Sequence, residues 1–86
     1  MVTKTLRIKK VWFEAIASGE KSIEYRADKP FYGWLSTIEV PFKLVLHYQK
    51  PPRITKTVAK VELIKRPDWI DPTLCPTDLV WALHLS

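Results

Sequence analysis

Residues 16–26, IASGEKSIEYR, constrain the fold most, because a helix has to end at Gly19 and a strand has to begin almost at once. Upstream, Val11, Trp12, Ala15 and Ile16 recur at helical spacing, and Gly19 can take the left-handed conformation that closes such a helix. Downstream, residues 22–26 alternate: Ile23 and Tyr25 fall on one face, and Ser22, Glu24 and Arg26 on the other. A carboxylate and a guanidinium therefore lie side by side, with Lys21 just past the helix end.

That arrangement has two readings. In one, Glu24 and Arg26 form an exposed ion pair on a sheet surface, worth about 0–1 kcal/mol. In the other, Lys21, Glu24 and Arg26 line a pocket for an anionic or hydrogen-bonding ligand, the role a fixed guanidinium fork suits best. Spacing alone leaves both open.

The chain has 86 residues, 47% of them hydrophobic, which suffices for one core but not two. A single domain over residues 1–86 follows. With seven prolines and two glycines, turns are made largely by proline, and the breaks delimit short strands. The pattern predicts strands over about 4–9, 22–27, 36–40, 43–49, 55–65 and 80–85, and a helix over about 11–18. Residues 67–78 read as a loop with at most one helical turn near Asp71 or Thr77, held to the body by Trp69 and Ile70. The absence of a long apolar run and of a signal-like N-terminus points to a cytoplasmic protein off the membrane.

Cys75 is the one cysteine, and with His47 and His84 it supplies too few soft ligands for a zinc site, so neither a metal nor another cofactor is expected. Its proline-flanked setting reads as a small, partly buried apolar residue. Charge is more telling. All fourteen Lys and Arg residues precede Pro67, whereas only Asp68, Asp71 and Asp78 carry charge after Arg66. A basic body of this kind attracts polyanions, although lysines on exposed strand faces also serve solubility and guard sheet edges. Aromatics interleave with the basic residues, and single-stranded nucleic acid is held by backbone charge plus base stacking. Tyr25, Tyr32, Trp34 and Tyr48 are the stacking candidates, whereas Trp12 and Trp81 sit on apolar periodicities and read as core. His47 falls on the less apolar side of its strand and is followed by Tyr48, Gln49 and Lys50, which adds His47 and Lys50 to the ligand-binding candidates.

The pattern G-x-K-x-x-E-x-R, met at Gly19, Lys21, Glu24 and Arg26, resembles the ASCH domain of the PUA-like superfamily. The order of an opening basic strand, a short amphipathic helix, the motif strand, two central strands and a closing strand resembles that family over most of the chain. The resemblance implies an α+β fold: a small β-barrel of five to six strands with one main helix packed on it, and a cleft near Lys21 and Arg26. Three functions remain open. The first is a module binding RNA or another nucleic acid or nucleotide, with Lys21 and Arg26 on phosphate and Glu24 orienting Arg26 or accepting from a base edge. On this reading Arg26→Ala weakens binding without unfolding the domain. The second is a small hydrolase of a modified nucleoside or RNA, since some ASCH-like proteins are amidohydrolases or ribonucleases; Lys21 and Glu24 would then be catalytic. Here the chain departs from that pattern: Glu24 replaces the hydroxyl expected three residues after the lysine, and the longer helical segment with a later catalytic glutamate is absent. A carboxylate beside Lys21 also favours the ammonium, which is no base. Glu62 offers a substitute acid, but alternation groups it with Lys56 and Lys60 in a salt-bridged face. The third is a protein-interaction domain using the aromatic loop, with binding insensitive to salt.

Overall fold

In the computed structural model, which describes residues 1–49 and 51–86, five strands form one curled sheet in the order β1-β3-β4-β5-β2. They are β1 (Thr3–Arg7), β2 (Ile23–Ala27), β3 (Phe42–His47), β4 (Arg53–Lys65) and β5 (Leu79–Leu85). Helix α1 (Lys10–Ser18) follows β1, and a 3₁₀ segment (Pro30–Ser36) follows β2. The architecture is thus a small α+β half-barrel.

β4 makes the curl. Its first half pairs with β3 and its second half with β5, and the register shifts between Val58 and Lys60. A bulge of this kind bends a strand and reverses which residues face inward. Before it, Ile54 and Val58 share a face with the fully buried Leu46 and Phe42; after it, Val61 shares one with the fully buried Leu83. Lys56, paired with Leu44, therefore lies on the opposite face from Lys60 and Glu62, which corrects the grouping expected from unbroken alternation. Glu62 instead meets Lys60 at 2.8 Å and His84 at 2.9 Å on the outer face. Lys60 first, then His84, holds the Glu62 carboxyl below its usual range.

The core lies inside the curl and is covered by α1 through Phe13 and Ile16, with Leu6, Leu35, Phe42, Leu44 and Leu46 around them. The expected strand over 36–40 is absent. Pro30 occupies the first turn of the 3₁₀ segment, and the Thr37 and Ile38 amides turn back to the Trp34 carbonyl at 3.3 and 3.1 Å. With those amides engaged locally and Pro41 lacking a donor, the alternation in 37–40 finds no ladder to join. A second, smaller cluster of Ile70, Cys75 and Val80 packs under loop 67–78 on the outer face. The single turn near Asp71 is present, as the Leu74 and Cys75 amides reach the Asp71 carbonyl at 2.9 and 3.1 Å. Among the described residues no helix is long and apolar enough to cross a membrane.

Candidate functional site

Gly19 closes α1 at φ 87°, ψ 0°, with its amide on the Ile16 carbonyl. A side chain at that φ is strained, so the left-handed step falls to glycine. The chain then hooks back and the Lys21 amide donates to the Ala15 carbonyl at 3.0 Å. Lys21 is thereby fixed between helix and strand. Its Nζ lies 5.4 Å from the Trp12 ring centre, 5.3 Å from the Tyr25 ring centre and 3.6 Å from Glu24 Oε1. Two ring faces and a carboxylate hold one ammonium, a partly desolvated cation–π arrangement.

β2 supplies the rest, and its register settles which of its two faces meets the core. Glu24 pairs with Leu83 and Arg26 with Trp81, so the charged side chains point into the curl, whereas Tyr25 pairs with Ala82 on the outer face beneath loop 67–78. The exposed-ion-pair reading fails here, since the Glu24 and Arg26 side chains are 8% and 16% exposed. Arg26 Nη2 lies 2.7 Å from Glu24 Oε2 and donates to the Arg7 carbonyl at 3.1 Å, while Nη1 donates to the Tyr32 hydroxyl at 3.0 Å. β1 and β2 are the two free edges of the sheet, and this one guanidinium ties them together. Buried in this way, Arg26 has its fork engaged by the protein, and its covered Nε faces no partner.

A cleft of about 780 Å³ opens over these groups. Trp12 of α1 lines it, with Tyr25, Tyr32, Trp69 and Leu74, and it carries five basic residues (Arg7, Lys9, Lys21, Arg26 and Lys29) against two acidic ones (Glu24 and Asp71). Of the residues singled out in the sequence, the structure brings Lys21, Glu24, Tyr25, Arg26 and Tyr32 together here. Trp34 instead packs edge-on against Phe42 at 6.1 Å, Tyr48 against Phe13 at 5.0 Å, and His47 lies on β3; none of the three lines the cleft. Lys50 lies outside the described residues.

Trp12 and Trp69 were not among the expected site residues. The apolar stripe of α1 runs through Phe13 and Ile16, one position round from the expected stripe, and this turns Trp12 outward at 40% exposure. Trp69 does not pin its loop: it is 70% exposed and touches Tyr25 edge-on at 5.2 Å. Ile70 and Cys75 do the pinning, with Arg66 Nη1 donating to the Cys75 and Thr77 carbonyls at 2.8 and 3.3 Å. A loop held so firmly presents a tryptophan to solvent, an arrangement that folding alone does not favour.

Chemically the site offers a hydrogen-bond donor, ring faces and positive potential. Cys75 lines the cleft, but burial and then the Glu24 charge push its thiol up, away from the nucleophilic thiolate. Among the described residues no group of three or more His, Cys, Asp or Glu is placed to hold a metal ion. Compared with protein-family models, with curated proteins and with solved structures, the chain gives no match in any of the three.

Proposed function

We propose that this chain is an ASCH-like domain of the PUA-like superfamily that binds single-stranded nucleic acid, RNA foremost, as a cytoplasmic binding module. The observation that carries the reading is the basic, aromatic-walled cleft over a buried Glu24 held by Lys21 and Arg26. Lys21 faces the ligand as a donor, the neighbouring rings offer stacking surfaces, and Glu24 with Arg26 keeps that geometry fixed. Arg7, Lys9 and Lys29 at the cleft supply charge for the phosphates. Hydrolysis would ask for a Lys21 amine free to face the substrate, whereas its Nζ is already engaged by Glu24 Oε1 at 3.6 Å.

The test is fluorescence anisotropy of short labelled RNA and DNA strands at two salt concentrations, with the natural sequence and Lys21→Ala. A hydrogen bond to a charged group contributes about 1.5–3 kcal/mol, so the variant is expected to bind at least about tenfold more weakly. Affinity should also fall as salt rises. Absence of binding at low salt refutes the reading and turns attention to a protein partner on the exposed rings of Phe31 and Trp69; binding insensitive to salt refutes the phosphate contacts.

A further inference from the structure

The register of β1, β3 and β4 places Arg7 opposite His47, and His47 opposite Arg53, so three basic-type side chains form one row across three strands. Two residues along, Thr5, Val45 and Thr55 form the next row; two further, Thr3, Lys43 and Thr57 form a third. The alternate positions, Leu6, Leu44 and Leu46 among them, are buried, so these rows make up the outer face. None of the nine positions holds a carboxylate.

A sheet face built only for solubility mixes signs, because like charges directly opposite each other across strands are destabilising and opposite charges are not. Here the second outer patch, with Lys60, Glu62 and His84, does mix them. Among the described residues Arg7, Lys43 and Arg53 enter no ion pair, and Nδ1 of the half-buried His47 has no hydrogen-bond partner. No carboxylate on this face offsets the charge of the row. The four threonines of the two neighbouring rows, at positions 3, 5, 55 and 57, add hydroxyl donors suited to phosphate oxygens without sequence preference.

Position completes the case. Arg7 both begins the row and lines the cleft, on the edge strand whose carbonyl receives Arg26. From Arg7 to Arg53 the row crosses two strand spacings, about 10 Å, a span covered by a few nucleotides. We infer that the Arg7–His47–Arg53 row, continued by Lys43, is a phosphate track that carries the backbone of a single strand away from the cleft. This rests on the nucleic-acid reading of the cleft and extends it: the ligand is a polymer, held outside the cleft through its phosphates, and not a free nucleotide.

The experiment compares the natural sequence, Arg53→Gln, Lys65→Gln and Lys21→Ala in binding a fluorescein-labelled 12-nucleotide RNA at several salt concentrations. Lys65 is an exposed cation on the same strand, at its far end and off the row. Loss of one phosphate contact makes the slope of log affinity against log salt shallower by about 0.7, which is about fivefold in affinity at 0.1 M salt. That change in Arg53→Gln, with Lys65→Gln near the natural sequence and both melting temperatures unchanged, supports the track. Equal weakening in the two variants reduces the effect to net charge and overturns it. So does no weakening in Arg53→Gln while Lys21→Ala still weakens binding, an outcome that leaves the cleft reading standing. Failure of the natural sequence to bind at low salt removes the cleft reading and the track together.

Discussion

Glu24→Ala is expected to lower stability by about 3–5 kcal/mol, because it strands Arg26 and Lys21 in a partly dry setting with no counter-charge. The carboxylate is 8% exposed and meets Arg26 at 2.7 Å and Lys21 at 3.6 Å. A domain of 86 residues has in total about 4–13 kcal/mol to lose. At about 4–8 °C per kcal/mol, the melting temperature should fall by more than about 10 °C, read by circular dichroism. Arg26→Ala acts in the same direction, since it removes the tie from β2 to β1 and Tyr32 and leaves Glu24 facing only Lys21. The Arg26 variant is thus expected to lose stability as well as affinity, which revises the expectation that it would leave the domain intact. Removing both residues should cost less than the two single losses added, since the Glu24–Arg26 contact is lost in each single variant and is counted only once in the double, which leaves Lys21 alone without its counter-charge. A Glu24→Ala protein that melts within about 2 °C of the natural sequence would show that the carboxylate is not the buried clasp the geometry describes.

Trp69→Ala should do the opposite: weaken nucleic-acid binding and leave stability alone. The side chain is 70% exposed, and its loop is held by Ile70, Cys75 and Arg66, none of which the substitution touches. Base stacking on an aromatic side chain contributes about 1–3 kcal/mol, so affinity for a single strand should fall by about 5- to 150-fold. Its edge contact with Tyr25 is lost, a small stability effect beside the binding loss. The same change at Trp34, which packs against Phe42, is expected to affect folding and not binding. If Trp69→Ala binds as the natural sequence does, the outer wall of the cleft takes no base.

The residues that announce local structure did so clearly. Gly19 marks the helix end at the expected place, helix α1 begins one residue before the expected start, and the strands now seen as β1, β2, β3, β4 and β5 all overlap expected ones. What alternation could not convey is which face of a strand meets the core. β2 has polar residues at every second position, but it lies at a free edge, where the inner face must be bridged to β1 and the outer face is covered by loop 67–78. Charge therefore points inward and Tyr25 outward. Likewise, the bulge after Val58 has no glycine or proline to betray it, so strict period-two reading carried Lys56 to the wrong side of Glu62. The cleft's charged members were legible in one short segment; its tryptophans were not, because their exposure depends on a one-position rotation of α1 and on a loop anchored by neighbours distant in sequence.

The four tryptophans make the most direct test available, because two stand at the cleft and two do not. Indole N–H resonances of the ¹⁵N-labelled protein would be followed by NMR as a single-stranded RNA is added. The signals of Trp12 and Trp69 are expected to move together and saturate with the strand, while those of Trp34 and Trp81 stay in place. Movement confined to Trp34 or Trp81, or saturable binding that leaves all four unmoved, would contradict the cleft as the nucleic-acid site.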